Sequence, residues 1–230
     1  MKNSKYALMC VLAGVSSLTI AAGAAFAQET RENTYVSIGG GASFPGSSSV
    51  NYTNAPASPA VNGQTSFDTG YILSGALGYR WASGMRTEVE YNFRKAGVDH
   101  IAGADAAGKQ RVHGLMGNVL FDIGDYNSFR PYVGGGAGVG WNRWSGVQGG
   151  SSATFPAGTA LFTDTDTALQ WQAIGGVTKP LSENVDGFVE YRYIGLENNK
   201  FRGGTTPTAI AASRHDDRSH NILAGVRYNF

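Results

Sequence analysis

Apolar and polar residues alternate at every second position in eight separate stretches of the chain. The clearest stretch is 86–94, where Val89, Tyr91 and Phe93 fall on one side and charged or amide residues fall on the other. Because successive side chains of a β-strand point to opposite faces, this pattern predicts a strand with one apolar face. The other seven stretches are residues 33–44, 71–80, 114–123, 130–141, 170–177, 188–193 and 220–230.

The connections between these stretches alternate in length. The long connections, predicted as loops, are residues 45–66, 95–110, 142–167 and 195–217. The short turns are residues 82–84, 124–128 and 180–184. An even number of strands joined in this way is typical of an antiparallel up-and-down sheet. The sequence therefore predicts an all-β fold, an eight-stranded antiparallel up-and-down β-barrel.

The aromatic residues indicate which face of the barrel is outside. Alternation alone does not decide this, because a soluble lipocalin-like barrel also alternates but has its apolar side chains inside. Two aromatic rows that flank a Leu-, Val-, Ala- and Gly-rich band favour a transmembrane barrel. The row near the long connections is Phe44, Tyr71, Phe93, Trp141, Trp171 and Tyr193. The row near the short turns is Tyr79, Trp81, Phe121, Tyr228 and Phe230.

The polar face favours the same arrangement. A Lys or Arg that faces lipid at the bilayer midplane costs about 2–4 kcal/mol, whereas acids and bases that point into a barrel neutralise one another. Closure of the sheet also pairs every backbone group, as a membrane span requires. The predicted interior polar network is Arg80, Arg86, Glu88, Glu90, Asn118, Gln172, Glu190, Arg192 and Arg227. A solvated sheet face on a soluble protein remains the alternative.

The amino-terminal residues are not part of the predicted barrel. A basic start, a run of small apolar residues and the pattern Ala25-Phe26-Ala27 indicate a cleaved secretion signal. The predicted domains are thus a signal peptide, 1–27, and an outer-membrane barrel, 28–230. Cys10 lies in the signal, so the mature barrel has no thiol chemistry. The near balance of 18 basic and 17 acidic residues gives no reason to expect nucleic-acid binding.

Several segments together resemble a known family. They are Arg130–Gly140 (RPYVGGGAGVG), Trp171–Val177 (WQAIGGV), Val189–Tyr193 (VEYRY) and the closing strand that ends on Phe230. Their order resembles the OmpA/Opa-like eight-stranded outer-membrane β-barrels, the porin-like surface antigens. The resemblance implies a monomer in the cell outer membrane, without a cofactor, in contact with outer-membrane lipid and lipopolysaccharide. It also implies that Phe230 and Tyr228 form an assembly signal for the barrel-assembly machinery.

The predicted function is non-catalytic. We expect an envelope-structural barrel whose loops contact a host or environmental ligand, because partner choice usually resides in loops. The alternatives are a small-solute pore, a lipid A-modifying enzyme and a haemin-binding surface protein. An enzyme of this kind needs a Ser–His–acid arrangement, for which the candidates are His215, Ser219 and His220 with Asp216 or Asp217. The histidines available to a metal or haem are His100, His113, His215 and His220, and none forms a pair at helical ligand spacing.

Basic residues near the predicted outer rim form a separate hypothesis. Arginine suits bidentate contacts to phosphate, so these side chains are candidates for contact with lipopolysaccharide phosphates. Solubilising loop charge is the alternative. The residues are Arg94, Lys95, Arg143, Arg202, Arg214 and Arg218.

Overall fold

The computed structural model describes residues 33–54, 61–101, 104–124, 128–149, 159–201, 210–211 and 213–230. The predicted signal peptide lies outside these residues. In the described part of the chain, no helix is long and apolar enough to cross a membrane. The described strands are β1 (Asn33–Pro45), β2 (Ser48–Asn54), β3 (Val61–Phe67), β4 (Gly70–Arg80), β5 (Met85–Ile101), β6 (Ala104–Asp122), β7 (Arg130–Gly149), β8 (Thr159–Pro180), β9 (Val185–Phe201), β10 (Ile210–Ala211) and β11 (Ser213–Asn229).

Eight of these strands close into one antiparallel barrel. The order around the barrel is β1, β4, β5, β6, β7, β8, β9 and β11, and β11 pairs with β1. This closing seam runs from Tyr35 opposite Asn229 to Pro45 opposite Ser219. The prediction of an eight-stranded antiparallel up-and-down barrel is therefore confirmed.

Short turns join the strands at one end of the barrel. Between β4 and β5, Gly84 has a φ of 78° and its N–H donates to the Trp81 carbonyl at 3.0 Å. Glycine suits this position because it has no Cβ to clash at positive φ. Between β8 and β9, the N–H groups of Leu181 and Ser182 donate to the Val185 carbonyl at 2.8 and 3.0 Å.

At the opposite end, the strands are longer than the alternation predicts. The predicted loop 95–110 is a continuation of β5 and β6, which pair as far as Ile101 opposite Ala104. Further predicted loop residues that belong to barrel strands are 142–149, 159–167, 195–201 and 213–217. The prediction of loops there is wrong because backbone pairing continues past the apolar band. Beyond that band neither face meets lipid, so the apolar alternation that reveals a strand is lost.

The first predicted loop, 45–66, also contains β-structure. Ser48 of β2 pairs with Thr65 of β3, and Thr65 in turn pairs with Ile101 of β5. The two residues of β10 pair with β2, with Ile210 opposite Asn54. These short strands extend the sheet above β5 rather than leaving the connection irregular.

The outward face of the barrel is apolar and the interior is mixed. Ile38, Leu77 and Val89 are each more than 60% exposed, which fits side chains that face lipid. The interior contains the predicted charged residues but also three buried clusters with apolar side chains. These are Ile72, Ile194 and Leu223; Val112, Ala168 and Leu196; and Leu120, Tyr132 and Ile174. These apolar side chains fill the positions between the ionic groups, which are shielded from water.

Glycines of β7 make room for these inward side chains. A Cβ at Gly136 would overlap the amide of Asn118, and one at Gly140 would overlap the side chain of Leu196. Strand β7 thus takes up little interior volume at the positions where other strands have bulky inward side chains.

Candidate functional site: barrel interior and outer rim

Glu90 lies at the centre of a buried hydrogen-bond network inside the barrel. Its carboxylate accepts from Arg192 Nη1 at 2.7 Å, Asn118 Nδ2 at 3.0 Å and Gln172 Nε2 at 3.4 Å. Arg192 also contacts Glu190, through Nε at 2.7 Å and Nη2 at 2.6 Å. Because β5 and β9 are on opposite sides of the barrel, this guanidinium bridges two carboxylates across the interior.

A row of three residues on β1, β4 and β5 extends this network. Tyr35 lies opposite Gly78, and Gly78 lies opposite Glu88. The Tyr35 ring occupies the space above Gly78, where a Cβ would overlap it. Its hydroxyl reaches across to donate to Glu88 Oε1 at 2.7 Å, while Asn118 Nδ2 donates to Glu88 Oε2 at 3.4 Å. We call Tyr35, Gly78 and Glu88 the first Tyr–Gly–Glu row.

The same arrangement recurs on the opposite side, on β7, β8 and β9. Tyr132 lies opposite Gly176, and Gly176 lies opposite Glu190. The Tyr132 hydroxyl donates to Glu190 Oε1 at 2.6 Å. This second Tyr–Gly–Glu row differs from the first in one respect, since its carboxylate also binds Arg192 whereas both hydrogen-bond donors described at Glu88 are neutral.

Three arginines and two aspartates form an ionic layer near the short turns. Arg86 Nη2 lies 2.9 Å from Asp122 Oδ1. Arg80 lies between the two acids, 3.9 Å from Asp122 and 3.7 Å from Asp186. Arg227 Nη1 lies 4.0 Å from Asp186 Oδ2. Alternating signs allow these buried charges to compensate one another.

The tyrosines connect this ionic layer to the centre of the barrel. The guanidinium carbon of Arg86 is 4.4 Å from the ring centroid of Tyr132, and that of Arg227 is 4.9 Å from the centroid of Tyr35. Both distances are within the range of a cation–π contact. Each tyrosine therefore stacks on a cation with its ring and donates to an anion with its hydroxyl.

Arg94 points into the barrel near the long connections and not to the outer rim, so that prediction is wrong. Its side chain is buried and its Nη1 donates to Ser219 Oγ. Next to it, Gln110 Nε2 donates to Asp217 Oδ2 at 2.6 Å, and these groups line a small recess open to solvent. Arg94 continues the inward series of Glu90 at the two-residue period, so alternation decides its direction.

The interior is filled at several levels along the barrel axis. The largest inward side chains with less than 2% exposure are Arg86, Arg227, Tyr35, Tyr132, Ile72, Met116, Leu120, Ile194, Leu196, Leu223 and Gln170. These side chains are almost completely shielded from solvent. The described structure thus has the packed interior expected of eight strands rather than an aqueous channel.

The structure places the predicted residues on the two faces as follows. All nine residues of the predicted interior network are buried inside the barrel. The eleven predicted aromatic-row residues lie on the outer surface and are exposed or half-buried. Phe230 is 68% exposed, its ring packs edge-on against Tyr228 at 5.2 Å between centroids, and its N–H donates to the Thr34 carbonyl at 3.0 Å.

The candidate catalytic residues whose side chains the structure describes do not come together. Ser219 is buried and faces inward, whereas the next residue, His220, is exposed on the outer surface. The two side chains are on opposite sides of the barrel wall, so His220 is not positioned to take a proton from Ser219. The side chains of His215 and Asp216 lie outside the described residues. Asp217 is bound by Gln110 inside the barrel.

The described histidines contact aromatic residues and acids rather than one another. Tyr91 hydroxyl and His113 Nδ1 are 2.6 Å apart, and Tyr191 hydroxyl and His220 Nδ1 are also 2.6 Å apart. His100 Nδ1 is 2.7 Å from the carboxylate of Asp99. Among the residues that the structure describes, no group of three or more His, Cys, Asp or Glu side chains has the arrangement of a metal site.

Sequence reasoning missed several residues of the interior network. Tyr35, Tyr132, Asp122 and Asp186 complete the network but were not predicted to belong to it. Their signal was present, because the two tyrosines occupy equivalent positions in the similar segments Tyr35–Ala42 (YVSIGGGA) and Tyr132–Ala137 (YVGGGA).

Comparisons with known proteins agree with this architecture. A family model described as outer membrane protein beta-barrel domain matches residues 11–230. An outer membrane protein of Gluconacetobacter diazotrophicus is 26% identical over an alignment of 220 positions, which covers 85% of this chain and 57% of that relative. The chain therefore spans little more than half the length of this curated relative.

Two solved structures show the same fold at low identity. OprG, an outer membrane protein of Pseudomonas aeruginosa, is 17% identical with a TM-score of 0.51, covering 89% of this chain and 99% of that chain. OmpT, an outer membrane protease of Escherichia coli, is 9% identical with a TM-score of 0.52, covering 89% of this chain and 100% of that chain. These likenesses concern the fold and do not assign an activity.

Proposed function

The chain belongs to the outer membrane protein β-barrel domain family and is an outer-membrane protein, and on this basis we propose that it is a closed, non-catalytic barrel. In this role it supports the envelope and presents its long connections for contact with a host or environmental ligand. Bacterial barrels of this class have short periplasmic turns and longer extracellular loops, which orients the extended strands outward.

The packed interior is the observation that carries this proposal. Arg192 joins carboxylates of opposite strands, and apolar clusters fill the space above and below it. A pore would need a continuous aqueous path, and an enzyme would need a nucleophile and a base on the same face. Ser219 and His220, the adjacent candidates for those two roles, are on opposite faces.

Planar-bilayer recording tests the closed interior. We expect the folded protein, purified in detergent and inserted into a bilayer, to give no stepwise conductance. Its fold is verified in the same preparation by the mobility shift between boiled and unboiled samples, and boiled protein is the matched control. Conductance steps that scale with folded protein and vanish on boiling would overturn the proposal in favour of a small-solute pore.

Two further measurements separate the remaining roles. Lipid A mass spectra of a deletion strain should match those of the parent strain, and a changed acyl pattern would indicate an enzyme.

Replacement of residues 150–158, between β7 and β8, by a Gly–Ser segment should reduce adhesion to a surface ligand while the barrel stays heat-modifiable. If adhesion is unchanged after such replacements of all long connections, the surface-interaction role is abandoned.

The assembly signal belongs to the same proposal. The exposed ring of Phe230 and its contact with Tyr228 support a recognition role for the barrel-assembly machinery. Phe230→Ser should lower the amount of heat-modifiable barrel in membranes. The same purified variant should refold in detergent like the wild type, since the Phe230 ring is 68% exposed on the outer surface. Equal refolding and equal membrane levels would contradict the signal.

A further inference from the structure

Three cationic side chains lie side by side on the outer surface, on β5, β6 and β7. Lys95 is opposite Arg111, and Arg111 is opposite Arg143. We call these three residues the basic row. Two positions nearer the short turns on the same face, the strands carry Phe93, His113 and Trp141. Because side chains two positions apart share a face, the basic row points outward like these aromatic rings.

The charge of the basic row is not compensated within the described part of the protein. No ion pair is formed there between an acidic side chain and any of the three cations. Lys95 has an aromatic neighbour instead, with Nζ 5.9 Å from the ring centroid of Tyr71. Like charges directly opposite one another on paired strands destabilise a sheet. An anion from outside the chain would remove this repulsion.

The surface below the basic row identifies the kind of anion. The next outward level after the aromatic rings is apolar, with Leu115 opposite Val139 and Val139 opposite Leu169. From the extracellular end inward, the face therefore presents cations, then aromatic rings, then an apolar band that meets lipid chains. A soluble anion would use only the first of these levels.

We infer that the basic row binds the phosphates of an outer-leaflet glycolipid of the lipid A type, whose acyl chains lie along the apolar band. Arginine binds phosphate oxygens in a bidentate manner, and Lys95 adds a point charge beside them. The inference rests on the location of the barrel in the outer membrane. It does not depend on the interior being closed.

The opposite side of the barrel repeats the scaffold without the excess charge. Arg218 precedes His220 by two residues, as Arg111 precedes His113, and Tyr191 binds His220 as Tyr91 binds His113. Arg218, however, lies opposite the uncharged Gly195 of β9. Arg111 instead lies opposite Lys95 of β5, which adds a second positive charge. Arg218 Nη2 also lies 4.0 Å from Glu197 Oε1.

Retention of lipid A by the folded protein tests the inference directly. Full-length folded protein in detergent is incubated with diphosphorylated lipid A, washed, and analysed by native mass spectrometry. The test variant is Lys95→Gln with Arg111→Gln and Arg143→Gln, and the matched control is Arg218→Gln. We expect the triple variant to retain about tenfold less lipid A, because it loses several charge-assisted contacts. The control should retain as much as the wild type, and heat-modifiable mobility should show that all variants are folded.

Two ligand controls distinguish the source of the phosphate. The wild type should retain as little dephosphorylated lipid A as the triple variant retains of diphosphorylated lipid A. Inorganic phosphate at the same concentration should not compete. Equal lipid A retention by the wild type and the triple variant would overturn the inference. Full competition by inorganic phosphate would overturn it as well, because the site would then be a general anion site.

Discussion

The side of the barrel formed by β5 and β6 can be compared with the side formed by β9 and β11. On each side, a tyrosine hydroxyl binds a histidine on the outer surface at 2.6 Å. The interior behind them is also repeated, since each half of the barrel has a Tyr–Gly–Glu row. Charge is what differs. On the first side, both described hydrogen-bond donors to Glu88 are neutral and the basic row lies outside. On the second side, Glu190 is paired with Arg192 inside and Arg218 with Glu197 outside. The same strand pairing and aromatic packing thus support two different electrostatic surfaces.

Arg192→Met is expected to have the largest effect on this comparison. It leaves Glu90 and Glu190 buried without their shared cation, and loss of one partner of a buried ion pair costs about 3–5 kcal/mol. Urea unfolding in detergent, followed by heat-modifiable mobility, measures the loss. The matched control Arg218→Met removes an exposed arginine and should change stability little. A variant that unfolds at the wild-type urea concentration would show that the bridge across the barrel contributes nothing.

The tyrosine hydroxyls sharpen the difference between the two Tyr–Gly–Glu rows. Loss of a hydrogen bond to a charged group costs about 1.5–3 kcal/mol. We expect Tyr35→Phe to be at the upper end of this range, because among the described residues Glu88 then keeps only the hydrogen bond from Asn118 at 3.4 Å. Tyr132→Phe should cost less, since Glu190 keeps Arg192. Equal losses in the same urea experiment would mean that the charge difference does not affect the two rows.

The glycines test the part of the scaffold that the two sides share. Gly78→Ala and Gly176→Ala would each push a Cβ into a tyrosine ring, and overpacking of this kind costs about 1–3 kcal/mol. Gly175→Ala is the control, because nothing lies within 4 Å of a Cβ added there. Similar losses for the first two variants, measured by urea unfolding, would support equivalent packing. A loss in only one of them would break the structural equivalence of the rows.

The smallest effect is expected at the exposed ion pair of the second side. Arg218 and Glu197 are separated by 4.0 Å and are partly exposed, so their coupling should be about 0–1 kcal/mol. A double-mutant cycle with Arg218→Gln and Glu197→Gln measures it. A coupling free energy well above this range would mean that the ion pair stabilises the fold of the second side. The charge difference could then not be treated separately from the shared strand pairing.

Alternation predicted the strands and their two faces, and the aromatic rows together with the cost of a charge facing lipid predicted which face is inside. Alternation also predicts the direction of Arg94, because Arg94 is four residues after Glu90 and therefore points to the same face. Arg94 was grouped with the outward cations because it adjoins a predicted loop, although alternation along the strand predicts that its side chain points inward.

Contacts between strands could not be predicted in the same way. The bonds Tyr91–His113 and Tyr191–His220 depend on the register of neighbouring strands, which no single strand specifies. The strand extensions were missed for a related reason. Segment 95–110 has no apolar face because it lies past the lipid-facing band, so pairing between β5 and β6 is its only structural signal. Arg111, at the centre of the basic row, follows this segment and was assigned neither to the predicted loop 95–110 nor to the predicted strand 114–123.

The seam between β1 and β11 has a consequence for the order of folding. It joins the two strands of the barrel that are furthest apart in the sequence, with Tyr35 opposite Asn229. Pairing at such a separation is slow, because the entropy of a long connection is lost before the contacts form. Until β11 is in place, β1 and β9 each present an unpaired backbone edge, which can associate with another chain. Polypeptides truncated before β11 are therefore expected to aggregate, and formation of the seam is expected to limit the rate of barrel maturation.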